Sequence, residues 1–188
     1  MRIVSGAFRG RNLVAPAGSA TRPTADRTRQ ALFNVLEHAA WAPTLSAARV
    51  IDLFAGSGAL GLEALSRGAA FCLFVETDAD ARGAIRDNVE AFSLFGQTRI
   101  HRRDATDLGQ KPAGDGAPFD IAFLDPPYGQ GLGERALTGL ADGGWLAPGA
   151  LCVLEKGTAE ADPAIDGFEI LDARDWGAAR VHFLKAIA

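Results

Sequence analysis

The sequence predicts a doubly wound α/β domain with a small N-terminal extension, and three observations predict it. Short apolar runs alternate with stretches whose apolar residues recur at helical spacing, the pattern of a parallel sheet covered on both faces. Four carboxylates, Asp52, Glu76, Asp104 and Asp125, stand at or just beyond the ends of those runs, where open α/β sheets keep their ligand crevice. The first run passes through Asp52-Leu53-Phe54-Ala55-Gly56-Ser57-Gly58 into a helical pattern, which reads as strand, tight loop and helix in succession.

Taken in order, residues 2–6 and 11–16 read as two short strands around a turn containing Gly10, a hairpin too small to stand alone. Residues 18–23 form a loop. Thr24 is placed to cap a helix over 25–40, whose Ala31, Leu32, Val35, Leu36 and Ala39 make one apolar stripe; Pro43 ends that element. Strands follow at 49–54, 71–76, 98–103, 119–124 and 150–155, with helices at 59–67, 79–94 and 131–141. Gly68 and Gly96 fall where helix C-caps belong. The tail differs: strands at 168–174 and 180–186 are joined by so short a link that only an antiparallel hairpin is open to them. Residues 111–118 read as a surface loop. The expected sheet therefore has seven strands, five parallel and a final antiparallel pair. Residues 1–43 form the extension and 44–188 the main domain.

Of the 188 residues, 48% are apolar and 22% charged, enough for an ample core in a soluble protein. Asp52 and Glu76 interrupt the two most apolar stretches, so no run reaches the length of a membrane span. The basic N-terminus lacks an apolar signal core, and a cytoplasmic protein is expected. Cys72 and Cys152 fall in runs assigned to non-adjacent strands. At about 4.8 Å per strand they lie beyond the roughly 7 Å limit for a disulfide, so both read as buried thiols. His38, His101 and His182 are scattered, and no metal is expected. The net charge of −4 is uneven: residues 1–30 hold Arg2, Arg9, Arg11, Arg22, Arg27 and Arg29 against Asp26 alone, whereas the rest carries 13 basic and 22 acidic side chains. A basic arm on an acidic body points to a polyanion at one end.

The chemistry sits in two stretches. Gly56, Gly58 and Gly61 satisfy the G-x-G-x-x-G pattern of dinucleotide sites, and Glu76 stands twenty residues beyond Gly56, where a ribose-binding acid is expected. Alone, this is a nucleoside-cofactor loop of unspecified kind. Asp125-Pro126-Pro127-Tyr128 narrows it. An exocyclic amine of guanine or adenine is a poor nucleophile because its lone pair is delocalised into the ring. A carboxylate and a rigid main-chain carbonyl can accept its two N–H bonds, and proline holds such a carbonyl well. Tyr128 is placed to stack on the base.

These motifs resemble those of the S-adenosylmethionine-dependent amino-methyltransferases. The flanking stretches 2–6, 9–11, 22–24, 32–34 and 58–67 resemble, more narrowly, the bacterial 16S rRNA guanine-N2 methyltransferase family, over nearly the whole chain. The resemblance implies a Rossmann-like class I methyltransferase sheet with S-adenosylmethionine as cofactor. It assigns cofactor contacts to Asp52, Phe54, Gly56, Gly58, Glu76, Thr77, Asp104 and Ala105. Asp125, Pro126 and Tyr128 become the catalytic group, and Arg9, Arg11, Arg22, Thr24 and Arg29 the RNA contacts. The implied partner is 16S rRNA within the small subunit or an assembly intermediate, met by a monomer. Three rivals stay open: an adenine-N6 methyltransferase acting on DNA or RNA, a nicotinamide oxidoreductase, and a non-catalytic RNA-binding module. Only the first of these uses Asp125-Pro126-Pro127-Tyr128.

Overall fold

The computed structural model describes residues 1–19 and 23–187, without the side chains of Pro23 and Thr24. Among them the elements run α1 (Pro23–His38), β1 (Arg49–Leu53), α2 (Ala59–Ser66), β2 (Phe71–Val75), α3 (Ala79–Ala91), β3 (Thr98–His101), β4 (Phe119–Leu124), α4 (Leu132–Asp142), β5 (Leu146–Gly157), β6 (Phe168–Trp176) and β7 (Ala179–Ala186). One seven-stranded sheet has the order β3-β2-β1-β4-β5-β7-β6. The first five strands are parallel, and β7 runs antiparallel between β5 and β6. That is the expected doubly wound sheet with its terminal hairpin. No helix among the described residues is long and apolar enough to cross a membrane.

Period-two alternation sends successive strand residues to opposite faces, and both faces are covered. Val50, Cys72, Phe74, Ile121 and Phe123 pack with residues of α1, α2 and α3. Ile51, Leu53, Leu73, Ala122 and Leu124 pack with Leu137 and Leu140 of α4 and with Trp145. Cys72 on β2 and Cys152 on β5 are buried, free and on strands that do not touch.

Several expectations need correction, among them the Gly96 cap: α3 ends at Ala91 with Phe92 as its cap, and Gly96 lies in the 3-10 turn over Phe95–Gln97. The N-terminal hairpin forms but is shorter than expected: one antiparallel bridge, Arg2 to Asn12, and the bonds from Leu13 N–H to the Met1 carbonyl, Ile3 N–H to that of Arg11 and Gly10 N–H to that of Ile3, at 2.9, 3.0 and 2.8 Å, join its arms. Other backbone groups of this segment bond to the body: Glu63 accepts the N–H groups of Val4 and Ser5 at 2.9 and 3.0 Å, Ser66 Oγ that of Phe8 at 3.0 Å, and Asn88 bonds Val14 on both sides. Ile3 and Leu13 are buried in the same core as α1 and α2, so the extension is packed onto the body. Helix α1 begins at Pro23, which puts Thr24 inside its first turn and not at the cap; proline's missing N–H suits that start. The segment 111–118 is largely exposed, as a surface loop should be, but its 3-10 turn buries Asp115, which bonds Arg99 at 2.8 Å.

Candidate active site

The chain order reverses between β1 and β4, and the crevice outside their carboxyl ends is where ligands of such sheets bind. Phe54 and Gly56 leave β1 at φ 57° and 58°, and Gly58 caps α2 at φ 79°. Phe54 lacks glycine's freedom there, the kind of local strain that collects at functional sites. At Gly61 a Cβ would come within 2.5 Å of Cys72 Sγ and the Phe74 ring, so its absence lets α2 lie directly on β2.

Asp52, 1% exposed, accepts the Gly61 N–H at 3.0 Å and thereby ties the helix start to the strand end. Burial pushes its carboxyl up to about 8; the Gly61 bond opposes this and the charge of Glu76 adds to it. Glu76 accepts Gly56 N–H at 2.8 Å and Asp78 N–H at 3.0 Å, one on each oxygen, leaving a lone pair on each for a ligand hydroxyl. Asp104, three residues beyond the end of β3 and exposed, accepts the Thr106 N–H and hydroxyl at 2.8 and 2.7 Å. Those bonds hold its carboxyl below the usual range.

Beyond β4, Asp125 opens to the crevice while protein hems in its other sides. Restricted hydration pushes its carboxyl well above the usual range, and the Glu155 carboxylate adds to this through its charge and a hydrogen bond, with Asp52 a further contributor. Tyr128 donates its hydroxyl to Glu155 at 2.5 Å. The crevice has two lobes of about 620 and 450 Å³, with Phe54 and Asp125 on the walls of both. Asp52, Gly56 and Tyr128 line the larger lobe, and Glu76, Thr77, Asp104 and Ala105 the smaller. Gly58 is buried beneath the loop, and Pro126 is buried beside a recess on the α4 side.

The expected RNA contacts fare differently. Arg9 is exposed. Arg11 is exposed but donates to the Ala91 carbonyl at 2.7 Å and stacks 4.6 Å over Phe92. Arg29 borders the crevice, yet its side chain is 5% exposed and its guanidinium is spent on the Arg2 carbonyl, on Asp26 at 3.0 Å and on Glu63 at 3.6 Å. It holds the fold together and has no face for a phosphate, contrary to expectation. Arg22 and the side chain of Thr24 lie outside the described residues.

Sequence reasoning missed two parts of this site. Glu155 lies near the end of β5, as the four recognised acids lie at or beyond other strands, and the same rule applied to the strand at 150–155 would have found it. The turn from Trp176 to Ala179 walls the larger lobe; nothing local marks it, because β7 must first pair antiparallel with β5 to bring it there.

Known proteins resemble this chain in sequence and fold. An Escherichia coli K12 protein named Ribosomal RNA small subunit methyltransferase D is 40% identical over 156 residues, which cover 83% of this chain and 74% of that protein. A Bacillus subtilis rRNA methyltransferase candidate, YlbH, is 41% identical over 68% of this chain and 67% of its own length. The solved structure of an E. coli methyltransferase candidate, yhhF, superposes with a TM-score of 0.86 at 34% identity, covering 100% of this chain and 98% of that one. The family described as Conserved hypothetical protein 95 matches residues 1–185, and the chain belongs to that family, built on the fold of the class I methyltransferases.

Proposed function

We propose that the protein transfers a methyl group from S-adenosylmethionine to the exocyclic N2 of a guanine in 16S rRNA of the small ribosomal subunit. The observation that carries this reading is the meeting of Asp125, Tyr128 and Glu155 at the mouth of the glycine-loop crevice. The residues fit the cofactor: Glu76 offers acceptors for ribose hydroxyls, Phe54 and Ala105 offer apolar surface for a nucleobase, and Asp52 and Asp125 suit a nearby cation. Bound there, S-adenosylmethionine supplies an electrophilic methyl group on a positively charged sulfur.

The chain's own residues do the rest. Asp125 accepts an N–H of the target amine, turning its lone pair toward the donor, and Tyr128 supports the base. A carboxyl held above its usual range is also a better match for the proton the amine gives up. Most of the acceleration comes from holding two reactants in line. A paired target guanine must first be turned out of its helix, at a cost of a few kcal/mol. The extension over 1–43 docks the RNA, with Arg9 free to reach a phosphate, while 44–188 carries the chemistry. One chain holds both parts, so a cytoplasmic monomer suffices, acting on the subunit or an assembly intermediate.

Nucleoside mass spectrometry of small-subunit rRNA from cells with and without the protein tests this. The expected result is loss of 2-methylguanosine in its absence. Loss of N6-methyladenosine instead would favour the adenine reading, and no change would overturn both.

A further inference from the structure

Glu155 is unassigned by the reaction just described, which needs only one carboxylate on the target amine. Its position is nevertheless constrained. It stands on β5, the strand next to β4; Asp125 and Glu155 each follow the paired Leu124 and Leu154 and line the same lobe of the crevice. Tyr128 donates to one of its oxygens at 2.5 Å. The neighbouring Lys156 does not neutralise it: that ammonium is turned away to Glu134 and the Ala161 carbonyl. Among the described residues no ion pair reaches Glu155 or Asp125. Two carboxylates thus face one opening side by side, an arrangement that costs repulsion unless a ligand brings donors to both.

The two candidate bases differ in what they bring. On the Watson–Crick edge of guanine, the N2 amine adjoins N1–H, so two neighbouring positions are donors. On that of adenine, the N6 amine adjoins N1 with a bare lone pair. A carboxylate is acceptor-only and repels that lone pair. We infer that Glu155 is the specificity-determining residue of this site, accepting guanine N1–H while Asp125 accepts the N2 amine, so that the pair selects guanine over adenine. This deepens the proposed function and rests on it. In the ligand-free site Tyr128 donates to one Glu155 oxygen, and guanine N1–H takes the other. A site built to bond a donor rejects the analogue lacking it, because the acceptor that the base covers is left unpaired.

The test inverts N1. The methylated guanine is mapped by mass spectrometry on wild-type product, and that position in reconstituted small-subunit rRNA is then made guanine, 2,6-diaminopurine or 2-aminopurine. Both analogues keep the N2 amine but carry a lone pair at N1. The second carries hydrogen at C6 and so controls for the accompanying change there: the preference for guanine should hold in wild type and be lost in Glu155→Gln with both analogues. Wild type should prefer guanine by about 100-fold or more in single-turnover rate. Glu155→Gln, whose amide can donate to N1, should slow guanine methylation by about 10- to 100-fold and compress the preference to within about tenfold. Tyr128→Phe serves as the control for a merely structural role: it should slow all three bases alike and keep the preference. S-adenosylmethionine affinity, read by calorimetry, reports that the variants are folded. A Glu155→Gln preference equal to wild type overturns the inference and leaves the functional reading standing. A Tyr128→Phe preference that collapses in the same way also overturns it. Wild type that methylates no guanine overturns both.

Discussion

Glu63 in α2 and Asp52 in β1 are both cut off from solvent, at 0% and 1% exposure. Glu63 is surrounded by donors: the Val4 and Ser5 N–H groups, Arg67 at 2.9 Å and Arg29 at 3.6 Å. Asp52 has one, the Gly61 N–H, and faces the crevice. The first carboxylate is compensated from within and fastens the N-terminal segment to the body. The second is left short of positive charge beside a cavity, and its carboxyl rises to about 8 in consequence. Burial alone therefore does not separate an acid that serves the fold from one that serves a ligand. The inventory of partners does.

The contrast can be broken most forcefully at Glu63. Glu63→Gln leaves Arg29 and Arg67 facing a neutral amide and should cost on the order of 3 kcal/mol in denaturant unfolding, with the rate per folded molecule unchanged. A loss well below about 1 kcal/mol would rank it with surface pairs. Asp125→Asn should do the reverse. It relieves repulsion with Glu155, so stability holds or rises, while single-turnover methylation falls by about 100-fold or more; wild-type rates would remove Asp125 from the chemistry. Glu76→Ala should weaken S-adenosylmethionine binding roughly tenfold or more, the value of a charge-assisted bond, and calorimetry showing equal affinity would leave Glu76 a loop anchor for Gly56 alone.

Asp52 sharpens the contrast through pH. An unfolded aspartate titrates near 4 and the folded one near 8. The folded state holds the extra proton between those values, so this group's contribution is complete at low pH and is lost as pH rises through that window, by at most about 1.4 kcal/mol per unit. Asp52→Asn should flatten that fall in unfolding midpoint. A cation favours the ionised form, so S-adenosylmethionine should gain affinity between pH 6 and 8 and the neutral sulfur of S-adenosylhomocysteine less; equal slopes would show that Asp52 does not sense the sulfonium. The smallest effect belongs to the arm. Arg9→Glu should raise the Michaelis constant for ribosomal RNA and lower its salt slope by about one, leaving cofactor affinity alone, and a wild-type salt slope would take Arg9 off the RNA.

How much of this was legible depended on how local the cause was. The alternation that set β1 to β5, the glycine loop and the acids at strand ends are properties of short stretches, and they predicted the sheet and five residues of the crevice wall. Arg29 looked like its arginine neighbours in sequence; only the packing of α1 on α2 brings Glu63 to it and turns it inward. The N-terminal hairpin was legible as a turn between two arms, but its attachment to the body was not: side chains of Glu63, Ser66 and Asn88, all distant in sequence, bond the backbone groups that the short hairpin leaves over. Glu155 was legible and overlooked.

Because β7 pairs antiparallel with β5, opposing Ala179 to Gly157, the turn at Gly177 and Ala178 comes back to the same end of the sheet as the ligand crevice. Its residues line the larger lobe but carry none of the charges that the chemistry uses. The turn is thus a module that evolution or an engineer can lengthen, shorten or recompose to remodel the rim, while the parallel strands that fix the reacting groups stay as they are.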